Sequence, residues 1–178
     1  MIILNPQPQY TGHQQEACEE GLMVLDGEVW SKDMCYRYYA GTEMDYQYCA
    51  EIDELRKKDE CYSDLGKYTK NSYVCTLISF EQGTQTLRDD CYSQVAIQLS
   101  ESVYCDSVIY RDTKDACYVT IAINKLQAAL CDNVVGTDGV TGRYYCYFHI
   151  AKQTYNRNLC EKIDKHNDMY DQCVYATS

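Results

Sequence analysis

The chain has 178 residues, which suits one domain or a short array of repeats. Its net charge of −11 argues against nucleic-acid binding, which needs Lys and Arg to displace the counterions of phosphate, and against attraction to an anionic membrane. No apolar run approaches the length of a transmembrane helix, so we expect no membrane insertion.

The first segment, residues 1–17, lies outside the pattern that fills the rest of the chain. It contains Pro6 and Pro8, so we expect an extended arm and not a helix. Its start lacks the basic residues and the long apolar run of a signal peptide, and we expect the numbering to begin after any targeting segment. The tip of the arm is apolar, at Ile2, Ile3 and Leu4. The sequence leaves open whether this tip folds back on its own chain or docks on a neighbouring subunit.

From Cys18 to Ser178 the sequence repeats a cysteine pattern. In one set, the cysteine has an aspartate two positions before, a tyrosine directly after and a small residue five positions after, with departures at Tyr144 and Val174. This set is Cys35, Cys61, Cys91, Cys117, Cys146 and Cys173. In the other set, Ile or Val follows three positions after every cysteine but the first. That set is Cys18, Cys49, Cys75, Cys105, Cys131 and Cys160. The unit recurs every 26 to 30 residues.

The spacing between cysteines separates rigid parts of the unit from loops. Cysteines within a unit are always fourteen positions apart, whereas the distance between units varies from 12 to 17. Constant spacing indicates fixed geometry, and variable spacing indicates a surface loop. Proline is confined to the arm, and residues 116–135 have a helical pattern. We therefore predict an all-α fold: a short α-solenoid of disulfide-stapled helical hairpin repeats over residues 18–178.

Each unit is either one continuous helix or two short helices. Gly41 and Gly66, near the middle of their units, favour two helices. The second helix would be capped by a side chain that accepts from free amides, at Asp45, Asn71 or Asn156. The aspartate before the cysteine would lie in the opening turn of the first helix, where the helix dipole favours negative charge. The small residue would let a neighbouring helix approach closely, and the Ile or Val would fill the seam between the helices.

The twelve cysteines point to disulfides and to an oxidising environment outside the cell, with the interior of a hyperthermophile as the documented exception. Two pairing schemes fit. In the first, each bridge crosses a variable loop and every cysteine is used: Cys18–Cys35, Cys49–Cys61, Cys75–Cys91, Cys105–Cys117, Cys131–Cys146 and Cys160–Cys173. In the second, each bridge lies within a unit, and Cys18 and Cys173 are left over. Economy favours the first scheme, although connectivity cannot be proved from sequence.

No motif in the sequence indicates catalysis or a cofactor. A zinc site would need closely spaced Cys pairs or nearby His, and haem attachment would need Cys-x-x-Cys-His; the sequence has neither. It also has no nucleophile–base pair and no glycine-rich phosphate loop. We expect no enzyme activity and no cofactor.

The 19 tyrosines are the unusual part of the composition. Those beside the cysteines should pack against the bridges. The others exceed what a thin solenoid can bury, and tyrosine is favoured at interfaces. The candidate interface residues are Tyr38, Tyr39 and Tyr175, together with the arm tip at Ile2, Ile3 and Leu4. The partner classes that fit are another copy of the chain, a protein or a glycan.

The pattern D-x-C-Y-x3-A followed by D/N-x3-C-x2-I resembles helical repeats of secreted or surface proteins of archaea. More loosely, it resembles tetratricopeptide solenoids, whose units are longer and lack cysteines. The resemblance implies a helical array with a scaffolding or binding role and transfers no catalytic residues. The arm, and a last unit that stops at Ser178, fit head-to-tail assembly of a homo-oligomer. We therefore expect a non-enzymatic extracellular structural protein that self-assembles into a filament or surface layer. The alternative is a monomeric, surface-exposed module that binds protein or glycan.

Overall fold

The computed structural model describes residues 12–20, 24–25, 28–80 and 83–178. These residues are mostly helical, which confirms the all-α prediction. The α-helices are α1 (Gly12–Glu19), α2 (Lys32–Glu43), α3 (Gln47–Ala50), α4 (Leu55–Thr69), α5 (Ser72–Thr76), α6 (Gln85–Leu99), α7 (Arg111–Lys125), α8 (Arg143–Thr154) and α9 (Asp168–Ala176). Short 3₁₀ helices cover Ser102–Ser107, Ala128–Asn133 and Arg157–Lys162. The two-residue strands β1 (Val24–Leu25) and β2 (Glu28–Val29) pair antiparallel, with Val24 opposite Val29.

The chain divides into two compact units, Met1–Thr84 and Gln85–Ser178. The sequence indicated one helical domain from residue 18 onwards, whereas the structure distributes its repeats over both units. In each repeat, the Ile or Val three positions after the second cysteine is buried, as predicted. These seam residues are Ile52, Ile78, Val108, Val134 and Ile163. The stacking of the repeats as a solenoid stays a prediction.

The arm prediction is wrong for residues 12–17, because α1 begins at Gly12. The last proline of the chain is Pro8, so no proline interrupts the backbone hydrogen bonds of α1. The bridge between Cys18 and Cys35 then fixes α1 against α2, with the two Cα atoms 5.4 Å apart. The earlier part of the arm, including its apolar tip, lies outside the described residues.

Each repeat consists of a long helix followed by a short one, which confirms the two-helix alternative. α3 follows α2, α5 follows α4, and a 3₁₀ helix follows each of α6, α7 and α8. The predicted caps accept the backbone N–H two residues further on, at 2.9 Å for Asp45, 3.1 Å for Asn71 and 3.2 Å for Asn156. In these three repeats the position of the second helix is therefore set locally, by one polar side chain at its start, whereas Glu101 and Gln127 start their 3₁₀ helices without a side-chain cap.

The turn between the two helices has the same geometry in every repeat. The residue after the long helix is left-handed, with φ between 51° and 57°, at Met44, Lys70, Ser100, Leu126 and Tyr155. The next N–H donates to the carbonyl of the small residue, as from Asp45 to Ala40 at 3.2 Å and from Asn71 to Gly66 at 3.0 Å. This is the hydrogen bond that closes a helix in a Schellman motif. The small residue therefore takes part in the turn as well as in the packing.

Four of the repeated aspartates accept hydrogen bonds from a later loop, a role that the sequence analysis did not predict, and three of the four are buried. Asp59, Asp89 and Asp115 are buried and lie beyond the opening turn of their helices, so that placement is wrong for them. The opening-turn placement is right for Asp33 and Asp171, which lie in the first turns of α2 and α9.

The buried carboxylates accept hydrogen bonds from the loop that follows the short helix. Asp89 accepts from the N–H of Ile109 at 3.0 Å and from that of Tyr110 at 2.7 Å. Asp115 accepts in the same way from two successive residues, 20 and 21 positions further on, and Asp59 accepts from the N–H of the residue 20 positions further on. These loop N–H groups have no acceptor within a helix or strand, so the carboxylate of the aspartate accepts their hydrogen bonds. Asp33 likewise accepts from the N–H of Asp53 at 2.9 Å. In these four repeats the aspartate ties the end of the repeat to its own long helix, whereas the repeat of α8 has Tyr144 at this position.

The disulfides cross the variable loops, in agreement with the first pairing scheme. The pairs are Cys18–Cys35, Cys49–Cys61, Cys105–Cys117, Cys131–Cys146 and Cys160–Cys173. Cys75 and Cys91 are also disulfide-bonded, and none of the cysteines, all of which lie in the described residues, is free. No thiol is left over for a neighbouring chain. Six disulfides indicate an oxidising environment, as is found outside the cell.

The tyrosines beside the bridges are buried, as predicted for Tyr36, Tyr62, Tyr92, Tyr118 and Tyr147. In three repeats the hydroxyl also donates to a carboxylate next to the partner cysteine. Tyr36 donates to Glu19 at 2.7 Å, Tyr118 to Asp106 at 2.5 Å and Tyr147 to Asp132 at 2.6 Å. The polar tip of a core tyrosine is thereby satisfied at the protein surface.

Tyr118 predicts a measurable pH dependence. Burial, and after it the hydrogen bond to Asp106, raise the pKa of Tyr118 from 10.0 to about 12. The unfolded chain therefore loses this proton at a lower pH than the folded chain does. The stabilising contribution is complete below pH 10.0 and is lost as the pH rises through about 12. We expect the free energy of unfolding of Tyr118→Phe to fall less steeply over this window than that of the native chain in denaturant titrations. The exposed Tyr68→Phe is the matched control, and equal slopes for all three proteins would contradict the expectation.

Candidate interaction surface

Two of the predicted interface tyrosines belong to an aromatic cluster on α2 and α3, formed by Trp30, Tyr38, Tyr39 and Tyr48. Ring centroids are 5.4 Å apart for Trp30 and Tyr38, 5.5 Å for Tyr38 and Tyr39, and 5.8 Å for Tyr39 and Tyr48. Tyr48 is buried, and burial is the main cause that raises the pKa of its phenol. The aromatic cluster thus runs from the core to Tyr38, which is 38% exposed.

The third predicted interface tyrosine, Tyr175, belongs to the unit Gln85–Ser178 and lies near the end of α9. It is 87% exposed, so its ring is available to a partner. The structure therefore brings Tyr38 and Tyr39 together, and it describes Tyr175 as a separate exposed position. The arm tip at Ile2, Ile3 and Leu4 lies outside the described residues.

An apolar groove lies between α2 and α4, within the unit Met1–Thr84. Its volume is about 340 Å³, and its lining residues are Arg37, Ala40, Gly41, Cys61, Asp64, Leu65 and Tyr68. Ala40 and Leu65 are buried and form the floor, while Tyr68 is 70% exposed. A Cβ placed at Gly41 would meet nothing within 4 Å, so the groove is open above this residue. We call this feature the α2–α4 groove.

The α2–α4 groove lies where one repeat has a glycine in place of a larger side chain. Six positions after the cysteine of the long helix, the chain has Gly41, Lys67, Ile97, Ile123 and Lys152. Ile97 and Ile123 pack against the core of their unit. Gly41 has no side chain to place there, and the space between its helix and the next stays empty.

Charged side chains border the α2–α4 groove. Arg37 donates from Nη2 to Oδ2 of Asp64 at 2.8 Å and from Nη1 to Oε2 of Glu60 at 3.5 Å. These side chains are partly exposed, so each pair stabilises the fold by about 1 kcal/mol at most. They connect α2 to α4 beside an apolar floor. An apolar centre with a polar rim is the usual anatomy of a protein interface.

Two exposed aliphatic residues lie at matching positions in the unit Gln85–Ser178. Ile109 and Val135 occupy equivalent places, because each donates its N–H to the buried aspartate of its own repeat at 3.0 Å. Their side chains are 60% and 55% exposed. The matching residues of the other repeats are polar, at Asp53, Ser79 and Asp164. We call Ile109 and Val135 the apolar row.

The described residues contain no group of three or more His, Cys, Asp or Glu side chains that could hold a metal ion. Among the helices of the described ranges, none is both long and apolar enough to cross a membrane. No family model, curated protein or solved structure matches this chain. Function is carried by sites and not by helical architecture, so the groove and the apolar row are the candidate surfaces.

Sequence reasoning missed the α2–α4 groove because it assigned Gly41 another role. Gly41 was expected to favour a break in the middle of its unit, but α2 continues past it to Glu43. Gly66 likewise lies inside α4. Comparison of the repeats would have indicated the groove. Ile97 and Ile123 occupy the position of Gly41 in two other repeats, and a glycine at this position leaves out their side chain.

Proposed function

We propose that this chain is a non-enzymatic structural protein of the cell exterior, a subunit that assembles head to tail into a filament or surface layer. The observation that carries the proposal is that each compact unit exposes apolar groups of its own, a groove in one and two aliphatic side chains in the other. The α2–α4 groove lies in Met1–Thr84, and the apolar row lies in Gln85–Ser178. Head-to-tail contacts need two different surfaces on one chain, and an open series of such contacts gives a filament.

The rigidity of the chain supports a structural role. Six disulfides and the buried aspartates hold each repeat by contacts that do not depend on a ligand. The tyrosines with the largest rise in pKa, Tyr118 and Tyr147, satisfy their hydroxyl groups beside the bridges and face no reactive partner. These groups serve the stability of the fold, which favours a non-enzymatic function.

The test is electron microscopy of the native material together with sedimentation of the purified, oxidised chain over a range of concentrations. We expect regular assemblies, with a sedimentation coefficient that rises with protein concentration. Because every cysteine is bonded within the chain, these assemblies should give a sharp monomer band in non-reducing denaturing electrophoresis. A chain that stays monomeric at high concentration and retains a protein or glycan ligand would favour the second candidate, a binding module that uses the α2–α4 groove.

A further inference from the structure

We propose that the α2–α4 groove receives an apolar side chain from the segment Ile2–Leu4 of a second copy of this chain. The inference rests on the proposed self-assembly and names the segment that would occupy the groove, a contact in which the apolar row takes no part. The groove is an empty space of about 340 Å³ with buried Ala40 and Leu65 at its floor. The ring of Tyr68, which also lines the groove, is 70% exposed, and an apolar side chain that covered it would recover the free energy that its contact with water costs.

The repeat itself indicates which side chain fits. At the position of Gly41, two of the three repeats of the other unit carry Ile97 and Ile123, both of which pack against the core, and the third carries Lys152. The space above Gly41 is therefore the space that an isoleucine fills elsewhere in the same chain. A partner that supplies a branched aliphatic side chain would restore the packing that Gly41 lacks.

The sequence supplies such side chains in one short segment. Ile2, Ile3 and Leu4 are three consecutive aliphatic residues, and no charged residue precedes Glu16. Eight positions separate Leu4 from Gly12, the first residue of α1. An extended chain of that length reaches about 26 Å, more than two helix diameters. The segment can therefore span from α1 of one copy to the groove of another.

The position of α1 argues for a second copy and against the chain's own groove. Cys35 faces α1, to which it is bonded through Cys18. At about 100° per residue, Ala40 and Gly41 lie about 140° and 120° around α2 from Cys35, in opposite senses. The groove thus opens on the side of α2 that faces away from α1. A segment that leaves α1 must pass around α2 to reach its own groove, whereas the groove of a neighbour has no such obstacle.

Three variants of the full chain test this contact. Gly41→Ile fills the groove, and a new Cβ there meets nothing within 4 Å, so the fold should be kept. Thr42→Ile adds the same side chain at the next, exposed position and is the matched control. The third variant replaces Ile2, Ile3 and Leu4 by serine and leaves the groove open. Circular dichroism checks that all three variants are folded before sedimentation is measured.

We expect Gly41→Ile and the serine variant each to raise the concentration at which assembly begins by about tenfold or more, the effect of losing one buried aliphatic contact. Thr42→Ile should assemble like the native chain. A mixture of Gly41→Ile, which has an intact segment, and the serine variant, which has an open groove, should form a complex of twice the monomer mass and nothing larger. This complementation cannot occur if each segment occupies its own groove.

The failures of the two proposals are distinguishable. If the native chain assembles and Gly41→Ile assembles equally well, the groove contact is wrong while the structural function stands. If the mixture of the two variants stays monomeric, the contact between copies is likewise overturned. If the native chain itself remains monomeric at every concentration and in micrographs of native material, the structural function fails, and the groove contact fails with it.

Discussion

Replacing Asp89 by alanine is expected to destabilise the protein by about 3–5 kcal/mol. Asp89 is 1% exposed and accepts hydrogen bonds from the N–H groups of Ile109 and Tyr110 and from Nε2 of Gln85 at 2.8 Å. Alanine would remove the buried acceptor of both backbone donors, whose N–H groups point at this carboxylate from a partly buried loop. A buried donor without a partner costs about 1–3 kcal/mol, and the lost hydrogen bonds to a carboxylate add to that. The loss should appear as a lower midpoint in guanidinium denaturation of the oxidised protein.

The repeat offers a matched control for this substitution. Asp171 occupies the same position relative to its cysteine but lies exposed in the first turn of α9. Asp171→Ala should change the free energy of unfolding by no more than about 0.5 kcal/mol, as for an ordinary surface site. Asp89→Asn should fall between the two alanine variants, because its amide oxygen still accepts from one backbone N–H. Similar losses for Asp89→Ala and Asp171→Ala would show that the buried hydrogen bonds contribute nothing.

The parts of the fold that the sequence predicted correctly are those set by neighbours along the chain. The caps at Asn71 and Asn156 act on N–H groups two residues away, so their role can be read from residue type and position. The bridges cross loops of similar length in every repeat, which makes the pairing that uses all cysteines recognisable. The buried tyrosines follow from their place beside these bridges.

The parts that the sequence did not predict depend on contacts between distant positions. Asp89 and Ile109 are 20 residues apart, and their hydrogen bond exists only once the short helix has folded back on α6. From sequence alone, an aspartate near a helix start is equally well explained by the helix dipole. The α2–α4 groove could not be predicted, because the surroundings of Gly41 are decided by how α2 packs against α4. The residues 12–17 were assigned to an extended arm because of two prolines that precede them, although a proline restricts only itself and its immediate neighbour.

Removal of one disulfide bridge is also expected to cause a large loss of stability. Replacing both Cys105 and Cys117 by alanine should destabilise the protein by about 3 kcal/mol in the chain-entropy model, with a further loss from the space that the sulfur atoms leave. The bridge spans 12 positions and joins the short 3₁₀ helix Ser102–Ser107 to α7. A helix of this length has no stability alone, so its position depends on the bridge and on the hydrogen bonds of Asp89. Hydrogen exchange should therefore increase most in this segment.

Tyr118→Phe is the control that separates the covalent link from the packing around it. Tyr118 lies beside the same bridge, and its hydroxyl donates to Asp106, so the phenylalanine variant keeps both sulfur atoms and loses one hydrogen bond. We expect it to cost about 1 kcal/mol. If the double alanine variant costs no more than this, the fold does not depend on its bridges. If the link acts mainly on the unfolded chain, the double variant should also show a steeper dependence on denaturant, because its unfolded state exposes more surface. Tyr118→Phe should leave that slope unchanged, since it alters a contact of the folded state and adds no freedom to the unfolded one.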